Sequence, residues 1–440
     1  MDAPAPLVER HKTLLLRATA AWTLIGVILY LALPLLAPAV LLLSIGAPLA
    51  WRLMKGTGLP ALRRPSPAIV ALLLAGAYLS INATWSLSPS TARVSLVMLF
   101  LFIAAVHVTL QALEDGDADS QRAMAIGLYG AMAIAGAVIC IEAFSGQWLR
   151  QQAMALAPAL RPDLRHMVVE DGRVTYMQTY LLNRSIAVLT LSFWPTLLVI
   201  VALASTSRRH RWLLAGLVPV VAAILGGHHA TSKIAFVGAA AAFGALLVSP
   251  GIARRAIAWG WVATVVLVVP VATLAFQNEL HLSSWMPRTA KHRIVIWGHT
   301  SQLIAKAPIL GAGIHTARAL HDPNDYDAPR APGSEFRLGT GLHSHNGYLQ
   351  TWYEAGAVGA AFLLAIGLLV LRSLAAAPAA TQPYLYATFV ACALMGGSSF
   401  SLWQPWFMAA LGLAAVFAAL GWRLGGQRES RSVRAQSASQ

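Results

Sequence analysis

The chain has 440 residues, 57% of them hydrophobic and 11% charged, with a mean hydropathy of +0.63. Soluble domains carry roughly 25% charged residues, so this composition excludes a water-soluble globular enzyme and specifies a polytopic membrane protein. The formal net charge of +15 is spread over short loops and both tails without interleaved aromatics, which excludes a nucleic-acid stripe and fits charges that set topology.

A membrane span needs roughly 20 mostly apolar residues. On that measure about twelve spans are predicted, near 15–32, 34–52, 67–84, 92–111, 122–145, 183–204, 211–226, 230–248, 255–276, 347–372, 381–400 and 403–422. The first, preceded by Arg10, Lys12 and Arg17, lacks a small-residue cleavage site and is expected to be a retained signal anchor. Pro34, Pro195, Pro219 and Pro270 inside spans are compatible with lipid-embedded helices. Basic residues follow the even-numbered spans: Arg52, Lys55, Arg63 and Arg64, then Arg208, Arg209 and Arg211, then Arg254 and Arg255, then Arg372, then Arg423, Arg428, Arg431 and Arg434. The acidic run Glu114 to Asp119 is the exception, but acidic residues weigh little in this rule. Both termini are therefore expected on the cytoplasmic side of the membrane.

The organisation predicted is nine spans over 1–276, a large periplasmic loop over 277–346, three spans over 347–424 and a disordered cytoplasmic tail over 425–440. A second outside loop covers about 146–182. A loop as long as 277–346 is more than a connector. Ser283-Ser284-Trp285-Met286-Pro287 reads as a helix start with a serine cap, and Ile294, Ile296, Trp297, Leu303 and Ile304 give that helix an apolar face for the membrane surface. Pro308 and the Gly311/Gly313 pair end it. Cys140 and Cys392, each inside an apolar run, read as core residues.

Polar chemistry collects where this loop closes, at His343-Ser344-His345-Asn346-Gly347-Tyr348-Leu349-Gln350. Asn346, Gln350 and Glu354 repeat at i,i+4 on an otherwise apolar span, so that stripe must face protein or water. The predicted topology puts Arg184, Lys233 and Arg293 at the same membrane face, with few acids to pair them. Such an excess of cations suits a phosphate ligand, which arginine binds bidentately and lysine as a point charge. Plainer readings stand beside this one. Arg184 and Lys233 fit snorkelling to headgroups, Arg293 fits a cation–π contact with Trp297, and Glu142 fits a structural carboxylate. His343-x-His345 also fits a metal pair, with His228-His229 as further ligands, and Asp322, Asn324, Asp325 and Asp327 resemble part of a calcium loop; neither set has full metal-site spacing.

These motifs resemble the O-antigen ligase and polymerase family of bacterial envelope enzymes. His345-Asn346 leading to Gly356 and Gly359 is similar to the family signature, as are Arg293 before Ile296-Trp297 and the Pro308 to Gly313 turn. Lys233 stands where the family commonly has arginine. The resemblance implies an all-α, GT-C-like membrane glycosyltransferase with about twelve transmembrane helices, a partly helical periplasmic loop, and no metal or other cofactor. It implies an undecaprenyl pyrophosphate-linked glycan as donor, lipid A–core as acceptor, and inversion by direct displacement. In that scheme His345, Arg293 and His343 are catalytic, and Arg184, Lys233, Asn346, Gln350, Tyr348 and Trp297 bind substrate. A repeat-unit polymerase and a protein-directed oligosaccharyltransferase differ only in acceptor. A lipid-linked glycan transporter is the alternative of another class, but it calls for midplane charges and a repeat that the sequence lacks.

Overall fold

Apolar helices dominate, because the bilayer leaves a chain no other way to pair its backbone groups unless it closes a barrel. A computed structural model describes residues 5–44, 46, 63–157, 166–204, 206–321 and 329–437. Its helices are α1 (Ala5–Ala32), α2 (Ala37–Leu43), α3 (Pro67–Asn82), α4 (Pro89–Asp115), α5 (Ala118–Phe144), α6 (Trp148–Leu156), α7 (Asn183–Leu203), α8 (Ser207–Ala215), α9 (Val218–Gly226) and α10 (Ala230–Val248). They continue with α11 (Pro250–Gln277), α12 (Arg288–Ile304), α13 (Thr316–Ala319), α14 (Gly347–Ala375), α15 (Gln382–Ser398) and α16 (Pro405–Ser437).

Among the described residues 10 helical segments are long and apolar enough to cross a membrane. The remaining two predicted spans correspond to the shorter apolar stretch Pro34–Leu43 and to α15, which has 17 residues. All of 47–62, including Arg52 and Lys55, lies outside the described residues, as does the Asp322 to Asp327 motif. The fold is thus the expected all-α polytopic bundle.

α7 is its axis. An isolated span would face lipid all round, yet Ser185 to Thr196 of α7 are buried without interruption. It packs against α5, α15 and α16, while α1 lies on α5 and α10 on α15. Small residues allow the close approaches: a Cβ on Gly136 would sit 2.3 Å from Val220, and one on Gly421 2.9 Å from Leu198.

The loop over 146–182 holds α6 and a two-stranded antiparallel hairpin, β1 (Met167–Glu170) and β2 (Arg173–Met177). The hairpin turns at Asp171-Gly172, both with positive φ, the pattern of a tight two-residue turn. In the larger loop the helix begins at Arg288, one residue after Pro287, and no side chain caps it. The expected serine cap is absent because Pro287, not Ser283 or Ser284, occupies the cap position. Its buried face, including Ile294, Ile296 and Ile304, packs on α11 and α14 rather than lying free along a lipid surface.

One joint connects this loop to the bundle. α14 breaks at Gly356 (φ 64°, ψ −165°), a region open essentially to glycine alone. The break frees backbone groups, and the Pro308–Gly313 turn takes them. Ala357 N–H donates to Pro308 O (2.9 Å) and Val358 N–H to Ile309 O (3.2 Å), while the Tyr353 and Glu354 carbonyls accept from Ala312 and Gly313 N–H, both at 2.9 Å. From α3, Tyr78 donates to Ala355 O (2.8 Å) and the Asn82 amide donates to Leu310 O and Glu354 O. Asn82 Oδ1 accepts Ile314 N–H at 2.9 Å. The two glycine motifs seen in sequence are therefore the two halves of one interlock.

Candidate functional site

The chain leaves the loop and enters α14 through His343 to Asn346. Asn346 Oδ1 accepts the Tyr348 and Leu349 N–H groups, both at 3.1 Å, which makes it the helix cap. Ser344 Oγ donates to Asn346 O (2.7 Å), and Trp297 of α12 donates its indole N–H to Ser344 O (2.8 Å). Four hydrogen bonds thus fix this end of the loop.

His345 adopts φ 54°, the left-handed region. Its N–H donates to His343 Nδ1 at 3.2 Å, and the two rings lie 4.2 Å apart at 57°. A left-handed turn, rather than a strand-like alternation, thus brings the two rings together. The bonds also fix the protons. His343 Nδ1 is an acceptor, so a neutral His343 carries its proton on Nε2. His345 Nδ1 lies 3.2 Å from Ser399 O, and a carbonyl only accepts, so His345 carries its proton on Nδ1 and leaves the Nε2 lone pair free. One ring offers a donor and the other an acceptor.

Both rings are kept neutral. Burial, then its neighbour His345, then Arg293, pushes His343 down to about 3. Burial and Arg293 push His345 down to about 4, against a small opposing effect of Ser399 O. Arg293 on α12 is the common neighbouring cation, and burial lowers its own proton affinity.

Among the described residues neither Arg293 nor Lys233 has a hydrogen-bond or ion-pair partner for its side chain, and Arg184 has only a ring. Acids at this end are committed elsewhere. Glu354, fully buried, accepts from Ala317 N–H, the Gln350 amide and the Trp403 indole. Glu142 accepts from Leu149 and Arg150 N–H and pairs with the Arg150 guanidinium, holding the start of α6. Glu335 makes a bidentate pair with Arg288.

The predicted residues divide accordingly. His343 and His345 are in contact, and the charge of Arg293 acts on both rings. Lys233 is the fourth residue of α10, one turn beyond His229. Arg184 is exposed, 5.8 Å over the Trp406 ring, so the cation–π contact weighed for Arg293 on Trp297 belongs to Arg184 instead. Trp406 stacks edge-on to Phe400, and Phe400 lies against His229, which connects Arg184 to the imidazoles through an aromatic wall. Asn346, Gln350, Tyr348 and Trp297 are buried or half-buried and bonded to protein: Gln350 to Glu354, and the Tyr348 hydroxyl to Ala393 O at 2.5 Å. In this structure these bonds make them supports of the loop's end and of the start of α14.

Two residues escaped sequence reasoning. Ser399, in the corner between α15 and α16, has no motif around it. His229 was legible only as a metal candidate, yet both ring nitrogens face serines, Ser232 Oγ at 2.7 Å and Ser399 Oγ at 3.0 Å. Among the described residues no group of three or more His, Cys, Asp and Glu is placed to hold a metal ion.

Comparison with known proteins fits this geometry. A protein of Rickettsia felis named "Putative polysaccharide ligase" is 26% identical over 235 residues, covering 52% of this chain and 55% of the relative. The chain thus spans about half the length of that curated relative. The family model described as O-Antigen ligase matches residues 196–364. That stretch contains Lys233, Arg293, His343, His345 and both halves of the glycine interlock, and over it the chain is similar to the O-antigen ligase family.

Proposed function

We propose that the protein is a membrane glycosyltransferase of the ligase type. It moves a glycan from undecaprenyl pyrophosphate to a sugar hydroxyl of lipid A–core at the periplasmic face of the inner membrane. The observation that carries this reading is a set of cations without carboxylate partners beside a neutral imidazole whose Nε2 lone pair is free. A pyrophosphate supplies the missing negative charge, and the lone pair suits an incoming hydroxyl.

In this scheme the acceptor oxygen attacks the anomeric carbon as the bond to the pyrophosphate oxygen breaks, which inverts the centre. The hydroxyl proton passes to His345 Nε2. The leaving pyrophosphate gains charge, and fixed cations stabilise that charge without reorganising. Arg293, whose charge reaches both rings, is the first candidate, with Lys233 near the start of α10 and Arg184 on the aromatic wall as the others. His343, with its proton on Nε2, donates to a phosphate oxygen. A conjugate acid near 4 makes a weak base, but Arg293 is one cause of that depression. Burial is the larger cause; an anionic donor bound at Arg293 offsets the second and raises the basicity of His345 where it is used.

The test is reconstitution in nanodiscs with a defined polyprenyl pyrophosphate glycan. Lipid A–core, free lipid-linked repeat units and an acceptor protein are offered in parallel. Transfer to lipid A–core alone supports the ligase. Chain extension of repeat units makes it a polymerase, and no transfer with any acceptor rejects the reading.

A further inference from the structure

The corner between α15 and α16 does more than join two helices. Ser399 is buried there, and it touches two imidazoles at once. Its carbonyl accepts from His345 Nδ1, and its hydroxyl bonds His229 Nε2. His229 is also buried and is bonded on its other nitrogen by Ser232, so one serine donates and the other accepts whichever nitrogen carries the proton. Phe400 lies against the His229 ring at 5.6 Å and blocks rotation of the pair. The corner cannot drift from the start of α14 either. A Cβ on Gly347 would sit 2.9 Å from Gly396 O, and one on Gly397 2.8 Å from the Tyr348 ring.

We propose that His229 and Ser399 are positioning residues which, through the Ser399 carbonyl, hold the proton of His345 on Nδ1 and aim its Nε2 at the acceptor hydroxyl. This inference rests on the reading of His345 as the proton acceptor. His229 itself touches no substrate. Its ring nitrogens are spent on serines, so a buried histidine that is neither ligand nor base has its purpose in the Ser399 peptide. A histidine oriented through its other nitrogen is the usual requirement for an imidazole that must present one defined lone pair. The supporting bond here comes from a backbone carbonyl, which a side-chain substitution cannot delete. The brace behind that carbonyl is what mutation can remove.

The groups facing His345 are Arg293 and His292 from α12, His343 from its own segment and Ser399 O; those facing His229 are Arg293, Ser232 and Ser399. Ser399→Ala removes the hydroxyl and keeps the carbonyl. His229→Phe keeps a ring against Phe400 and removes both bonds. Ser399→Thr keeps hydroxyl and carbonyl together. A misplacement on the order of 1 Å costs up to about 100-fold in rate, so S399A and H229F are expected to lower kcat roughly 10- to 100-fold. The donor KM should stay within about twofold, since neither residue contacts the pyrophosphate, and S399T should recover most of the rate. Nitrogen-15 spectra of histidine-labelled protein in nanodiscs give a readout without turnover. The His345 signal, assigned by its loss in H345A, should show Nδ1 protonated in the parent and a mixture of tautomers in S399A and H229F.

Parent-like kcat in both variants, or an unchanged tautomer signal, overturns the brace. Retained transfer in H345A overturns the reading of His345 instead, and the tautomer spectra then still decide the brace. Inactive H345A beside parent-like S399A and H229F leaves the functional reading intact and removes only this inference.

Discussion

Replacing Gly356 with alanine tests the interlock between α14 and the large loop. At φ 64°, ψ −165° a residue with a Cβ is strained by about 1–3 kcal/mol. The new methyl would lie 2.2 Å from Ile309 O and 2.6 Å from Gly311 N, both backbone atoms that cannot rotate aside. The turn must back away, and the bonds from Ala357 N–H to Pro308 and from Val358 N–H to Ile309 stretch or break. Each contributes about 1 kcal/mol net, and groups left unpaired away from water cost more. The expected loss is on the order of 3–5 kcal/mol for seating the loop, enough to unseat it in most molecules. The assay is thermal unfolding and glycan transfer in nanodiscs, with Gly260→Ala as control because nothing lies within 4 Å of its added Cβ. G260A should match the parent or gain slightly, as glycine to alanine in a helix does. Gly311→Ala should mimic G356A, and the double variant should cost little more than either alone, because both break the same joint. A G356A protein with the parent's midpoint and transfer rate would refute the interlock.

Further expectations concern the acid, the cation and pH. Glu354→Gln replaces a carboxylate oxygen with an NH2 group among donors from Ala317, Gln350 and Trp403. It should destabilise the protein by about 1–3 kcal/mol, read as a lower unfolding midpoint; an unchanged midpoint would show that the carboxylate is not the anchor. Arg293→Gln should raise the donor KM and also shift the acidic limb of kcat/KM to higher pH, because removing the cation raises the proton affinity of His345 and His343; a limb that stays put would separate Arg293 from the rings. His229, His315 and His345 sit at about 4 and His343 at about 3, below the ordinary 6.5, with burial the largest cause in each. The folded state therefore binds fewer protons than the unfolded chain across that window. Stability should be fully present above about pH 6.5 and fall as pH drops toward 4; a midpoint that is flat from pH 7.5 to 5 would contradict the burial of these rings.

Much of the fold was legible because a bilayer imposes one rule on backbone polarity. Every predicted span overlaps an apolar helix where the chain is described, although those near 34–52 and 381–400 correspond to helical stretches shorter than a full span. Helix breaks were less legible. Gly356 looked like a motif position, whereas its role comes from Pro308–Gly313, some 45 residues earlier in sequence, and no periodicity links the two. The hairpin at Met167–Met177 was also missed, since two short strands between spans give little alternation to read.

The site shows the same division. His343, His345 and Arg293 stood out because charges and imidazoles are rare in such a chain and need a reason. Asn346, Gln350, Tyr348 and Trp297 lie in or beside the same segment, but a polar residue there looks alike in sequence whether it binds substrate or caps a helix. Ser399 was invisible because its contribution is mostly a carbonyl, which every residue carries.

The central claim is that His345 Nε2 takes the acceptor proton while the neighbouring cations hold the pyrophosphate. Single-turnover transfer by H345A, with donor binding measured on the same preparation, tests it most directly. The account predicts a rate at least about 100-fold lower, in line with loss of general base catalysis, with the donor still bound at parent affinity. Transfer at the parent rate would contradict it.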